Sequence, residues 1–346
     1  MKKILLPALQ ATVTILLLWW IFRNPENNRE MLAALQHSFT QGAWYWLFPG
    51  VAAVGAASVL QTERWRWLLA AQGIHMGWLR TFRVYMVGLF FNLFLLGATG
   101  GDVVKIYYAM RETSSKKSAA FLSVLVDRMM GLVGLIAVTV VVVALRWQEL
   151  TAHAVTRGLL GVLAAVMGGM LSLIIFGFLV DRFDLSSKLP KWLPLHGKIV
   201  EFASAFSVYA RNGKTLTVTF VLSVICHIFN FLAFFFAARA LGAFPGFSGM
   251  LDVFSVMPII MVIAALPISL SGMGVREGLF EKMFSVMFGT AKAISVPISL
   301  LGFFMVVFWG IIGGIIYFLY RPSGGIHLSD IQEEVHAVED QIGDPR

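Results

Sequence analysis

Charged residues are scarce in this chain. Asp, Glu, Lys and Arg make up 13% of its 346 residues, whereas hydrophobic residues make up 58%. A soluble domain carries about 25% charged residues, so the composition excludes an ordinary water-soluble protein. Several apolar runs reach the roughly 20 residues that a helix needs to cross a bilayer. The sequence therefore predicts an all-α membrane protein that crosses the bilayer several times.

Cysteine and the common catalytic motifs are nearly absent as well. The single cysteine, Cys226, excludes a disulfide within the chain. The sequence contains no Walker loop, no G-x-S-x-G motif and no His and carboxylate spacing that suggests zinc. We therefore expect no metal and no cofactor. The motifs also give no support to an ATP-driven pump within this chain.

The net charge of +8 does not indicate a nucleic-acid partner, because the basic residues lie in short loops between apolar runs. One set of loops, with Lys2 and Lys3, contains sixteen Lys and Arg residues, and the other set contains five. The basic loops are 61–83, 102–117 and 181–214, and the others are 23–43, 146–157 and 239–250. Because Lys and Arg are enriched on the cytoplasmic side, we expect the basic loops and both termini in the cytoplasm, with the protein in a bacterial inner membrane.

Six apolar segments are long enough to span, and two more are interrupted by Gly, Pro or charge. The six spans are predicted at about 4–22, 43–60, 118–145, 157–180, 215–238 and 291–320, and the interrupted segments lie at about 84–108 and 251–288. If 84–108 crossed the bilayer, its two basic flanks would lie on opposite sides. We therefore expect both interrupted segments to form re-entrant helix hairpins.

Glycines mark the expected reversals of the two hairpins, because glycine permits a tight turn. The tips are predicted at Gly100 and Gly101 in the first hairpin and at Gly272 and Gly274 in the second. Pro258 and Pro267 should also interrupt the second hairpin. Half-helix ends with free backbone N–H groups would suit an anion such as a lipid phosphate.

The two halves of the chain match in spacing. The second span, the glycine site and the last span of each half are displaced by about 172–175 residues. Each half has the order span, span, hairpin, span, so an odd number of crossings makes the second half inverted. The predicted organisation is a first repeat at 1–145, an inverted second repeat at 146–320 and an acidic tail at 321–346.

Six charged residues lie in or beside the apolar segments. A charge at the centre of a bilayer costs about 2.5–3.5 kcal/mol on insertion scales, so none of them should face lipid. Asp127 and Arg128 either link two helices structurally or line a polar cavity that binds the substrate. The other four either cap the half-helices or belong to the same substrate site. They are Asp102 and Lys105 after the first glycine site, and Arg276 and Glu277 after the second.

Two further arginines alternate with tryptophans at the predicted inner interface. Arg64 and Arg66 neighbour Trp65 and Trp67. They either anchor the helix by placing their charged ends in the headgroup layer or recruit lipid headgroups.

Four motifs occur in a fixed order along the chain: RWRWLL, GATGGDVVKIYY, LVDRMMGLVGL and LPISLSGMGVREGLF. In this order and spacing they resemble the lysylphosphatidylglycerol synthase transmembrane (flippase-like) family. The resemblance runs from about Leu5 to Tyr320, and two departures from it are Leu96 and Lys105, where many relatives have proline and arginine. The cytosolic aminoacyl-transferase domain of the bifunctional members is absent, so this chain alone should not make an aminoacylated lipid.

The resemblance implies a bilobal flippase with an anionic or modified lipid as cargo. Its best understood members move aminoacylated phosphatidylglycerol between leaflets, and an archaeal branch is associated with sugar transfer from a lipid carrier. We therefore expect a lipid translocase that works by alternating access. The alternatives are a membrane-embedded transferase with a lipid-linked donor, and a scaffold for a separately encoded lipid-modifying synthase. The headgroup, the direction of transport and the energy source do not follow from the sequence.

Overall fold

The computed structural model describes residues 2–94, 100–111, 117–182, 208–209, 212–266 and 268–319, and this part of the chain is helical and contains no strand. The helices of the first half are α1 (Lys2–Phe22), α2 (Pro25–Thr40), α3 (Leu47–Ala71, preceded by a 3₁₀ turn at Ala43–Trp46), α4 (Trp78–Phe94), α5 (Gly100–Arg111) and α6 (Lys117–Leu145). Those of the second half are α7 (Trp147–Ala152), α8 (Ala154–Arg182), α9 (Gly213–Ala240), α10 (Gly246–Ala264), α11 (Val275–Phe288) and α12 (Lys292–Leu319).

Five helices in the described ranges are long and apolar enough to cross a membrane. They are α3 with its 3₁₀ turn, α6 from Ala119, α9, α10 and α12. Four of them match predicted spans, whereas α10 was expected to be one arm of a hairpin. The described apolar parts of α1 and α8, Leu9–Phe22 and Ala154–Gly169, are shorter than a full span. The chain is thus an all-helical, multi-pass membrane protein.

The second predicted span is longer than expected. We predicted it to end near residue 60, but α3 continues to Ala71. Its last turns contain an ion pair between Glu63 and Arg66 at 2.6 Å, three residues apart on one face of the helix. The arginines assigned to a loop therefore lie within a helix.

Helices α4 and α5 pack against each other, with glycines at the point of closest approach. A side chain on Gly101 would overlap the carbonyl oxygen of Gly88 and the side chain of Asn92. The Asn92 side chain accepts a hydrogen bond from the Gly101 N–H at 3.0 Å and so connects the two arms. Residues 95–99, which include Leu96, lie outside the described ranges.

Helices α10 and α11 also pack against each other, and the chain between them reverses through left-handed conformations. Ser271, Gly272 and Gly274 have φ values of 50°, 73° and 83°. A Cβ on Gly272 would lie 2.8 Å from the carbonyl oxygen of Ala264, where α10 ends. The prediction that Pro258 breaks this segment was wrong, since Pro258 is buried inside α10. The reversal instead begins after Ala264; Pro267 lies outside the described residues.

The two halves exchange packing partners. Helix α3 packs along α9, and the last long helix of each half packs against a helix of the other half: α12 on α4, and α6 on α10. Glycine permits one of these close approaches, because a Cβ on Gly313 of α12 would overlap the Met86 carbonyl of α4. Neither α4 nor α10 is therefore covered by its own half alone.

Some loops that share a charge character are in contact. The Ser38 hydroxyl donates to the Ala240 carbonyl and so joins two loops with few basic residues, 23–43 and 239–250. Arg146, in the third such loop, lies 3.2 Å from Asp252 on α10. Among the basic loops, Tyr209 donates to the Leu68 carbonyl at 3.1 Å. Most of the loop 181–214 and the whole tail 321–346 lie outside the described residues.

Candidate functional site

A buried carboxylate joins three helices of the first half. Asp127 on α6 is 3% exposed. It accepts hydrogen bonds from Arg64 on α3 at 2.7 Å and from Lys105 on α5 at 3.2 Å. Arg64 also donates to the Ser223 hydroxyl on α9 at 3.1 Å, which extends the network into the second half. We call Arg64, Lys105 and Asp127 the first charge cluster.

Aromatic rings enclose the lysine of this cluster. The Lys105 ammonium lies 5.1 Å from the ring centroid of Trp65 and 4.8 Å from that of Tyr85. Both distances permit cation–π attraction. The cluster holds two cations and one anion, so its formal charge is +1. Because a buried net charge is costly in a low dielectric, the cluster favours the approach of an anion.

A second ion pair extends from the first cluster toward the surface. Arg128 on α6 donates to Asp102 on α5 at 2.7 Å, and its side chain is 51% exposed. The other carboxylate oxygen of Asp102 is buried and has no hydrogen-bond partner in the described part of the chain. This pair therefore combines an accessible cation with an unsatisfied acceptor.

The second hairpin has its own buried cluster at the start of α11, which we call the second charge cluster. The Glu277 carboxylate accepts from Arg276 at 2.6 Å, from the Ser299 hydroxyl of α12 at 2.9 Å and from the Gly274 N–H at 2.6 Å. The Arg276 guanidinium also lies 4.3 Å from the ring centroid of Phe303. This cluster is formally neutral, and its carboxylate is fully engaged.

These contacts change the sequence interpretation of the half-helix ends. We expected free N–H groups that could bind an anion, but the protein supplies its own acceptor at each end. Glu277 caps α11, which was one of its two predicted roles. At α5, Asn92 takes this role in place of Asp102, which is bonded to Arg128.

The two clusters share a spacing. In each half, a charged residue on the second arm of the hairpin contacts a polar residue 22 positions later on the last helix: Lys105 with Asp127, and Glu277 with Ser299. The chain before α11 also contacts α4, since the Ser271 hydroxyl donates to the Asn92 carbonyl at 3.4 Å. Five of the six predicted charged residues are buried or half-buried and form ion pairs: Asp102, Lys105, Asp127, Arg276 and Glu277. The sixth, Arg128, is the most exposed.

The two interface arginines have different environments. Arg64 was expected near lipid headgroups, but it is 6% exposed and bonded to Asp127. Arg66 is partly exposed and bonded to Glu63, an arrangement that suits an interfacial position. Helix α3 turns the two side chains in different directions because they are two positions apart.

The uncharged residues of both clusters were not predicted from the sequence. Ser223 and Ser299 each bind an arginine, and Trp65 and Tyr85 enclose Lys105. A serine within a long apolar helix was the available signal for the first two. No group of three His, Cys, Asp or Glu side chains in the described ranges could hold a metal ion. The clusters place ion pairs among helices long enough to cross a membrane.

Comparisons with known proteins agree with a membrane role. Residues 8–322 match the model of a family described as the lysylphosphatidylglycerol synthase TM region. The chain is also 25% identical over 340 residues to a UPF0104 membrane protein of Pyrococcus horikoshii, a match that covers 91% of this chain and 96% of that relative. No solved structure matches the chain at a significant level.

Proposed function

Because the chain belongs to the lysylphosphatidylglycerol synthase transmembrane-region family, we propose that it moves an anionic or modified phospholipid, or another lipid-linked headgroup, between membrane leaflets. The observation that carries this proposal is the contact between Ser271, which precedes α11, and Asn92 of α4, together with the buried charge clusters that include residues of α5 and α11. Broken helices that meet inside a membrane are typical of transporter substrate sites.

The positions of the clusters support a path through the protein. Asp127 lies ten residues, about 15 Å, from the start of α6, and Glu277 lies eleven residues, about 16 Å, from the end of α11. Loop charge predicts that these helix ends lie on opposite sides of the membrane. A headgroup would meet the first cluster from the end with the basic loops and the second from the other end, while its acyl chains stay in lipid.

The exchange of packing partners supports two inverted repeats with re-entrant hairpins. The contacts α4–α12 and α10–α6 correspond to each other when the halves are exchanged, and so do α5–α6 and α11–α12. Movement would be an alternating rotation of the halves about the seam between α3 and α9. We further propose that the protein lies in a bacterial inner membrane with both termini in the cytoplasm, and that a separately encoded synthase supplies its lipid.

The substrate site in this proposal consists of the six charges predicted from the sequence. Arg128 and Asp102 would contact the headgroup first, because Arg128 is the most exposed of the six. Lys105 and Asp127 would follow, and Arg276 with Glu277 would receive the headgroup beyond the tips. Arg66 would recruit headgroups at the interface, whereas Arg64 acts from within the first cluster.

One observation favours the alternative of a membrane-embedded transferase. The unpartnered oxygen of Asp102 could accept a proton from an acceptor hydroxyl. Glu277 is less suited to act as a base, because its carboxylate already accepts four hydrogen bonds. Consumption of a donor lipid with formation of a new covalent product would distinguish this activity from translocation.

A leaflet assay in proteoliposomes tests translocation. Fluorescent phosphatidylglycerol and its lysylated form would be followed by dithionite accessibility or back-extraction. We expect fast exchange with the wild type and a rate at least about tenfold lower with Arg276→Gln and Asp127→Asn, because each change weakens a charge-assisted network. Arg146→Gln is the matched control, since Arg146 pairs with Glu149 and Asp252, neither of which belongs to the charge clusters. Absence of exchange with every lipid, in folded wild-type protein, would contradict the proposal.

A further inference from the structure

Polar residues of α1 meet the tip of the second hairpin. Thr14 and Gln10 are both buried on α1. The Thr14 hydroxyl donates to the Gln10 carbonyl at 2.8 Å and accepts from the Leu270 N–H at 2.8 Å. Neither residue belongs to the charge clusters. The tip is therefore connected to α1 through neutral oxygen atoms.

A buried hydroxyl next to this contact has no partner. Ser269 is 5% exposed, and its hydroxyl makes no hydrogen bond within the described part of the chain. Leaving a buried polar group unsatisfied costs free energy. Ser269 directly precedes Leu270, whose N–H donates to Thr14, so the two hydroxyl-bearing residues belong to the same stretch of contact between α1 and the chain before α11. The hydroxyl is therefore available to bind a partner that is not among the described residues.

The helix ends at the tip determine the sign of that partner. Helix α10 ends at Ala264, so its carbonyl groups bring the negative end of a helix dipole to the tip. The Ala264 carbonyl faces the tip glycine Gly272. The positive end of α11 is already occupied by the Glu277 carboxylate through the Gly274 N–H. The tip thus favours a cation over an anion.

We propose that the tip of the second hairpin binds a monovalent cation, sodium, among the hydroxyl oxygens of Ser269 and Thr14 and the C-terminal carbonyl groups of α10. Hydroxyl and carbonyl oxygens are ligands for hard cations. With no carboxylate among these groups, the site suits a singly charged ion. Unwound backbone and the C-terminal ends of half-helices coordinate sodium in transporters with broken helices.

This site gives lipid movement an energy source. Binding of sodium at the tip would bias the contact between Ser271 and Asn92, two residues from Ser269 along the chain. A sodium gradient would then drive net movement of the headgroup. This coupling rests on the proposed function, whereas the binding of sodium does not.

The first test measures binding alone. The melting temperature of the purified protein is compared in sodium chloride and in choline chloride at equal ionic strength, with potassium chloride as a specificity control. We expect sodium to raise the Tm by about 2–4 °C and potassium to raise it less. Absence of any sodium effect would overturn the site and leave a bound water as the partner of Ser269.

Substitutions test which residues are needed for the rise of the Tm in sodium. Ser269→Ala should abolish the sodium effect while its Tm in choline equals or exceeds that of the wild type, because an unsatisfied hydroxyl is removed. Thr14→Val should lower the Tm in both salts and also abolish their difference. Ser295→Ala is the matched control, since Ser295 has another buried hydroxyl without a partner in the described residues but lies on α12. A sodium effect that survives in both Ser269→Ala and Thr14→Val would overturn the proposal.

A second set of measurements distinguishes failure of the sodium site from failure of the proposed lipid translocation. Lipid exchange is measured with sodium on one side of the vesicles, on both sides or on neither. Sodium binding without lipid exchange would contradict translocation and leave the site intact. A lipid-exchange rate that does not depend on the sodium gradient would overturn the coupling and leave translocation intact.

Discussion

Asp127 accepts hydrogen bonds from two cations on two other helices, Arg64 on α3 and Lys105 on α5. Its removal would leave two buried positive charges without an anion. Deleting one partner of a buried ion pair costs about 3–5 kcal/mol of stability. Replacing both partners by packed apolar residues usually costs much less. The side chain at this one position therefore decides whether three helices of the first half stay together.

Asp127→Ala should accordingly lower the free energy of unfolding by about 3–5 kcal/mol. Unfolding of the purified protein in detergent, followed by circular dichroism, measures this change. Glu63→Gln is the control, because Glu63 forms a partly exposed pair with Arg66 and should cost at most about 1 kcal/mol. Equal losses in the two variants would contradict the structural role of the first cluster.

The sequence could indicate that these charges matter, but it could not assign their partners. An intramembrane charge must avoid lipid, so Asp127 and Arg276 were identifiable as charged residues within apolar segments of the sequence. One of the two partners of Asp127, Arg64, lies 63 residues away on α3. Arg64 was predicted at the interface because the sequence does not show that α3 continues inward or which of its faces meets α6.

At the scale of elements, the two hairpins depend on glycine where backbones approach. Gly101 should not tolerate a side chain, because a Cβ there would overlap the Gly88 carbonyl and Asn92. Gly101→Ala should therefore destabilise the protein by about 1–3 kcal/mol and reduce lipid exchange, as measured in the unfolding and leaflet assays.

Replacing a glycine outside these contacts should raise the free energy of unfolding instead of lowering it. A Cβ added to Gly158 on α8 would have no atom within 4 Å, so Gly158→Ala should stabilise the helix by about 0.5–1 kcal/mol. If Gly101→Ala were as stable as Gly158→Ala, α4 and α5 would not approach as closely as described.

Glycine and charge predicted that the two apolar segments are interrupted, between α4 and α5 and between α10 and α11, but the details of the helix ends followed from packing. Pro258 was expected to break α10 and lies inside it, buried. A proline costs an internal hydrogen bond, yet neighbouring helices hold α10 intact around it. The cap of α5 is Asn92, on the other arm, which no pattern near the N-terminus of α5 could reveal.

For the whole molecule, loop charge gives a testable orientation. Thr151 lies among the weakly basic loops and Asn212 among the strongly basic ones, and both are at least partly exposed. In right-side-out vesicles, a membrane-impermeant maleimide should label Thr151→Cys, whereas Asn212→Cys should react only after permeabilisation. The native Cys226 is buried and should not react. The reverse pattern of labelling would invert the orientation derived from the positive-inside rule.

The packing of α4 against α12 has a consequence for biosynthesis. Helix α4 ends at Phe94 and α12 begins at Lys292. At about 5–20 residues per second, about 10–40 s of translation separate them. During that interval the ribosome has released the first hairpin into the membrane while its covering helix has not been made. A factor that shelters nascent transmembrane segments would act in this interval, and ribosome stalling before Lys292 would leave the hairpin open to degradation.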